Sequence, residues 1–126
     1  HAFPYLHEHM GAALAGSDLV ISRAGAGTLG EFPYFGLPAI LVPYPYAWRY
    51  QKVNAQWLVD RGGALIVEDA DLEAQMVPTV RTLFEDEARR TAMVEAMRAL
   101  SQPHAARRVA ELVLSLAREG GRVGTS

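Results

Sequence analysis

The sequence predicts an α/β domain with a Rossmann-like parallel sheet and flanking helices, and three observations predict it. Three short apolar runs, Asp18-Leu19-Val20-Ile21, Leu37-Pro38-Ala39-Ile40-Leu41-Val42 and Ala64-Leu65-Ile66-Val67, have the near-continuous hydrophobicity of strands buried on both faces. Segments with helical spacing separate them. A glycine-rich turn from Ser22 to Glu31 follows the first run directly and opens a helix, which gives the order of a βαβ unit. Three strands are fewer than the roughly six of a doubly wound domain, so the chain reads as the second half of one.

At 126 residues, half of them apolar, the chain can bury one core but not two. A net charge of -2 gives no basic footprint, so no nucleic-acid partner is expected. There is no cysteine, which excludes disulfides and zinc-thiolate sites. No apolar run reaches membrane-spanning length and no signal peptide opens the chain. The first residue is histidine rather than methionine, so a fragment is expected.

Residues His7 to Gly16 read as a helix with Met10, Ala13 and Leu14 on one face. The Asp18 strand and the glycine turn follow. The helix after the turn is kept short by Pro33 and stopped by Gly36 as a C-cap, with Pro38 beyond it. After the second strand, Pro43 to Tyr50 is too rich in proline for a central strand and reads as a loop at the same sheet edge as the turn. Gln51 to Asp60 is helical, with Val53, Trp57 and Leu58 predicted to face inward, and Gly62-Gly63 ends it. Past the third strand, Asp71 is expected to cap a helix carrying Leu72, Met76, Val77, Val80, Leu83 and Phe84 at helical spacing. Another helix runs from Glu85 to Leu100 with Ala92, Met93, Ala96, Met97 and Leu100 inside, and Pro103 breaks it. Ala105 to Ala117 forms the last, with Val109, Leu112, Val113 and Leu116 as its stripe. One domain is therefore expected over residues 1–118, with a flexible tail over 119–126.

The turn is where chemistry is expected. Glycines 25, 27 and 30 with two alanines leave the backbone bare, so amide N–H groups can approach a phosphate at the helix N-terminus. Gly25 to Gly30 fits G-x-G-x-x-G, but no acid occurs from Phe32 through Val59, where a dinucleotide site needs one for the ribose. A nicotinamide or flavin site is not expected. Thr28 and Glu31 have capping-box spacing, which leaves a local role and a ligand role both open. Arg23, directly after a strand, needs an anion or an acid, and Glu31 or Asp18 are the nearest acids. Tyr44, Tyr46, Trp48 and Tyr50 at alternate positions suggest a lid over the sheet edge rather than a base-stacking platform. Gln51 and Asn54 project neutral amides from one helix face, and these suit sugar hydroxyls. His7 and His9, two apart, point to different helix faces, and no metal site is expected of them.

Taken together and in order, Arg23-Ala24-Gly25-Ala26-Gly27-Thr28-Leu29-Gly30-Glu31, Gly36-Leu37-Pro38-Ala39, Val42-Pro43, Gln51 and Asn54-Ala55 resemble the carboxyl-terminal domain of the MurG family. The resemblance covers about Tyr5 to Ala117. It implies a GT-B fold, two Rossmann-like domains facing across a cleft, of which this chain is part of the carboxyl-terminal, UDP-sugar-binding one. The implied activity is transfer of N-acetylglucosamine from UDP-GlcNAc to undecaprenyl-pyrophosphoryl-muramoyl-pentapeptide, lipid I, giving lipid II for peptidoglycan.

Position by position, the resemblance implies that the His7 backbone meets the uracil edge and that Glu31 takes the ribose hydroxyls. Ala26, Gly27 and Thr28, following Gly25, meet the diphosphate and sugar. Gln51, with Asn54 a turn further on, reads the GlcNAc hydroxyls, and Arg23 shapes the pocket. No catalytic residue falls in this stretch, because the family's base, its acceptor groove and a further phosphate-binding glycine loop lie outside it. The resemblance also implies a metal-independent reaction with no cofactor, and a cytoplasmic location peripheral to the inner face of the bacterial plasma membrane. Tyr50 stands where the family can carry a second glutamine. That departure leaves open a UDP-hexose-dependent diacylglycerol glycosyltransferase, and a separate reading is a non-catalytic UDP-sugar-binding subunit that needs a partner half. The open edge of a half-sheet further invites dimerisation.

Overall fold

The computed structural model describes residues 1–46 and 50–120. A 3-10 turn, His7–His9, leads into α1 (Met10–Ala15), then β1 (Val20–Ser22), α2 (Thr28–Phe35), β2 (Ala39–Leu41), α3 (Tyr50–Val59) and β3 (Ala64–Ile66). A second 3-10 turn, Asp69–Asp71, precedes α4 (Leu72–Glu85), α5 (Glu87–Leu100) and α6 (Ala105–Gly120). The three strands form one parallel sheet in the order β1-β2-β3, with Ile21 opposite Ile40 and Ile40 opposite Leu65. This is the fold class the sequence predicts.

β2 is the middle strand and all three of its residues are fully buried. Because side chains alternate across a strand, it feeds two cores. Ala39 and Leu41 pack with Phe32, Ala55, Leu58 and Met97, whereas Ile40 packs with Val42, Val67, Leu83 and Met93. α5 bridges the two by giving Met93 to one and Met97 to the other.

β1 corrects an expectation. It is not a buried strand but an edge, and Ile21 is 50% exposed. The expectation came from an apolar run that assumes neighbours on both sides, and among the described residues β1 has one.

Two helix ends are closed by glycines in the left-handed region. At Gly36 (φ 63°) the Leu37 N–H reaches Phe32 O at 2.9 Å and the Gly36 N–H reaches Pro33 O at 3.0 Å. Gly62 (φ 78°) repeats the pattern at the end of α3, with Gly63 N–H to Leu58 O at 3.0 Å and Gly62 N–H to Val59 O at 2.9 Å. These are Schellman motifs, and they turn α2 and α3 sharply into β2 and β3.

Several inward faces differ from those predicted. In α3 the buried residues are Ala55 and Leu58, while Val53 is 63% exposed and Trp57 lies outward under the Arg61 guanidinium. Both sets satisfy helical spacing. The sheet selects the one with the small residue, which lets α3 pack closely on β3. In α4, Leu83 is buried, but Leu72, Val77 and Phe84 are exposed, and in α5 Ala92 is exposed.

Other boundaries shift as well. Asp71 stands at the N-cap of α4 without a side-chain cap bond, because the 3-10 turn already occupies it. α5 starts at Glu87 rather than Glu85, and Asp86 caps it by accepting from the Arg89 N–H at 2.9 Å. α1 is shortened by the 3-10 turn, and its Met10 and Ala13 are exposed. The α6 stripe exists, but Val109, Leu112, Val113 and Leu116 are 58–61% exposed. α6 runs on to Gly120, past the expected boundary at residue 118. The rest of the expected tail, 121–126, lies outside the described residues.

Gly36→Ala should destabilise the chain by about 1–2 kcal/mol, because alanine is strained at a left-handed φ and its Cβ would stand 2.7 Å from Arg98 Cγ. Urea unfolding checks this. Combining it with Arg98→Ala should leave most of the loss in place, since the backbone term does not depend on the arginine.

Candidate functional site

The turn between β1 and α2 is tied down from both sides. Ala24 is fully buried, so its carbonyl cannot turn to water, and Asn54 Nδ2 donates to it at 3.1 Å from α3. Beyond Ala24 the chain winds tightly. Thr28 N–H reaches Gly25 O at 3.2 Å, Leu29 N–H reaches Ala26 O at 3.2 Å, and Glu31 N–H reaches Gly27 O at 2.9 Å. These bonds engage the carbonyls of Gly25, Ala26 and Gly27. The N–H groups of the same three residues find no acceptor among the described residues, and they stand at the N-terminus of α2.

The capping box does not form. Gly27, not Thr28, is the N-cap residue, and the buried Thr28 hydroxyl donates to Gly25 O at 2.6 Å. Its one proton is therefore engaged locally. Glu31 makes no cap bond, and its carboxylate lies over Gly27, where an added Cβ would meet Oε1 at 3.3 Å. Its position among the cleft-lining residues leaves the carboxylate available as an acceptor.

An open cleft of about 370 Å³ runs beside the edge of β1. Met10, Leu14 and Ile21 give it an apolar wall, while Arg23, Gly25, Gly27, Thr28, Glu31 and Gln51 line its polar end. Of the residues predicted for the site, the fold brings these six together around one cavity. Three fall elsewhere. Ala26 is in the turn but off the lining, and Asn54, also off the lining, staples the turn by donating one amide hydrogen to Ala24 O. His7 sits in the 3-10 turn ahead of Met10, exposed and with φ 37°, its ring 5.4 Å from that of Tyr5. Its carbonyl accepts from the Met10 N–H.

The aromatic loop is described in part. Tyr46 is 81% exposed, Tyr50 is exposed, and Tyr44 leans on the Arg23 guanidinium with its ring edge to Tyr46. Trp48 lies outside the described residues. Gln51 is not a free amide, because its Oε1 accepts from the Tyr44 N–H at 2.9 Å.

Arg23 meets neither Glu31 nor Asp18. Its Nη1 donates to Val42 O at 3.2 Å and forms an ion pair with Asp69 Oδ1. Asp69 is the residue that sequence reading misses, together with the Asp-x-Asp pair it forms with Asp71. The available signal was the acidic group Glu68, Asp69 and Asp71 directly after the third strand, which parallel strands place at the same sheet edge as Arg23. Asp69 is engaged by Arg23 and Glu68 by Lys52 Nζ at 2.9 Å.

A parallel half-sheet with bare amides, a carboxylate and a glutamine at the carboxyl ends of its strands defines the ligand-binding part of a Rossmann-like domain. The comparisons with known proteins narrow this class. The model of the glycosyltransferase family 28 C-terminal domain matches residues 1–112, and the chain belongs to that family. It is 46% identical over 118 residues to the UDP-N-acetylglucosamine–N-acetylmuramyl-(pentapeptide) pyrophosphoryl-undecaprenol N-acetylglucosamine transferase of Mycolicibacterium smegmatis, covering 93% of this chain and 30% of that protein. The Desulforudis audaxviator protein of the same name is 40% identical, covering 94% of this chain and 32% of the relative. The crystal structure of Acinetobacter baumannii MurG superposes with a TM-score of 0.80 at 31% identity, over 91% of this chain and 33% of that one. The chain thus spans about a third of the relatives it matches.

Asn54→Ala should cost about 1–3 kcal/mol of stability, because it leaves the buried Ala24 carbonyl without a partner. Chemical denaturation measures it. Amide exchange should show the loss concentrated at residues 24–28.

Proposed function

We propose that the chain forms part of the donor site of a transferase that moves N-acetylglucosamine from UDP-GlcNAc to undecaprenyl-pyrophosphoryl-muramoyl-pentapeptide. The single observation that carries this reading is a turn whose Gly25, Ala26 and Gly27 N–H groups have no acceptor among the described residues, with Gly25 and Gly27 lining the same cleft as the Glu31 carboxylate. A nucleoside diphosphate presents the complementary groups, anionic oxygens for the amides and ribose hydroxyls for the carboxylate. The names of the relatives, all N-acetylglucosamine transferases, supply the sugar and the acceptor.

The chemistry is a displacement at the anomeric carbon. An acceptor hydroxyl oxygen forms the new bond to C1, the bond from C1 to the β-phosphate oxygen breaks, and UDP leaves with that electron pair. A base outside these residues takes the acceptor proton. What this stretch contributes is stabilisation of the departing diphosphate: oriented amides and the positive end of the α2 dipole act without a metal ion. Among the described residues no helix is long and apolar enough to cross a membrane. The edge of β1, with Ile21 half exposed, offers a strand-pairing surface to a second copy.

Calorimetric titration with UDP, UDP-GlcNAc, UDP-glucose and NAD tests the reading. UDP and UDP-GlcNAc should bind and NAD should not, and Glu31→Ala should weaken UDP roughly 10- to 100-fold, the worth of a charge-assisted hydrogen bond. A folded chain with no UDP affinity, or one indifferent to Glu31→Ala, would sink it. A preference for UDP-glucose would move the assignment to a diacylglycerol glycosyltransferase.

A further inference from the structure

We propose that Arg23 and Asp69 are a positioning pair that fixes the loop after β2 and, through it, the orientation of the Gln51 amide toward the sugar; the last step rests on the donor-site reading above. Among its described residues, 43–46, the loop has little support of its own. Pro43 and Pro45 have no N–H, so Tyr44 carries the one backbone donor of residues 43–45, and that donor goes to Gln51 Oε1 at 2.9 Å. What holds the loop over the strand ends is Arg23, whose Nη1 donates to Val42 O at 3.2 Å and whose guanidinium stands 5.4 Å from the centre of the Tyr44 ring. Asp69, arriving from the end of β3, holds the same nitrogen. One guanidinium therefore joins the carboxyl ends of all three strands: the two hydrogens of Nη1 serve Val42 O and Asp69 while the flat delocalised plane faces the Tyr44 ring, a combination that the compact ammonium of lysine does not reproduce.

The consequence for Gln51 follows from donor and acceptor identity. A backbone N–H can only donate, so the glutamine must offer its carbonyl oxygen to Tyr44. Its NH2 group is then the part left for a ligand. Gln51 is thereby set as a donor toward sugar oxygens rather than as an amide free to present either end.

The test separates the pair from the donor-site reading by using two readouts. The first needs no ligand: by NMR, the Tyr44 amide should be protected from exchange in the chain as it stands and lose that protection in Asp69→Ala and in Arg23→Lys, while the Gln51 side-chain NH2 signals shift. The second is the ratio of the UDP-GlcNAc and UDP dissociation constants. Asp69→Ala should raise it about tenfold with UDP affinity unchanged, Gln51→Ala should raise it similarly, and the double variant should raise it no further. Unchanged Tyr44 protection in both single variants overturns the proposal, as does an unchanged ratio in Asp69→Ala or an additive rise in the double variant. A chain that binds no UDP but shows the Tyr44 response overturns the donor-site reading and leaves the pair standing as a loop anchor only.

Discussion

Everything at the ligand edge depends on the parallel register of β2 with its two neighbours. Ser22 lies opposite Leu41 and Leu41 opposite Ile66, so the residues that follow each strand emerge side by side. Arg23, Val42 with Tyr44, and Asp69 are 46 positions apart along the chain at their widest, yet one side chain reaches all of them. An antiparallel strand would send its continuation to the opposite end of the sheet. The burial of β2 on both faces fixes the register, since a slip of one residue would exchange Ile40 with Ala39 and Leu41 between two differently shaped cores.

The glycine turn then commits only part of its backbone to folding. Its carbonyls are engaged by the first turn of α2 and by Asn54, and its N–H groups are left over. That division is a property of any helix N-terminus. What distinguishes it here is the small side chains that leave the amides bare and the carboxylate of Glu31 one turn further on. Thr28 shows the same economy in the other direction, for its hydroxyl proton is committed to Gly25 and stabilises the turn.

The apolar surfaces left uncovered are as informative as the core. The outer edge of β1, with Ile21, and the α6 stripe are apolar in pattern and exposed in the structure. Both are sequences shaped for burial, and the chain spans about a third of the relatives it matches.

The sequence by itself determined the α/β class, the number and order of the strands, the left-handed glycine that ends α2, and the glycine turn that joins the first strand to that helix. These are local signals: apolar runs, breakers and glycines act within a few residues of where they stand. Only the tertiary structure decided which of two equally periodic faces of α3 is buried, that Asn54 serves the Ala24 carbonyl, and that Arg23 pairs with Asp69 instead of with Glu31 or Asp18. Periodicity says that a helix has an inner face but not which neighbour it must fit. A charge in sequence shows what it needs, while the partner is set by strand register and by the shape of the loops that the register brings together.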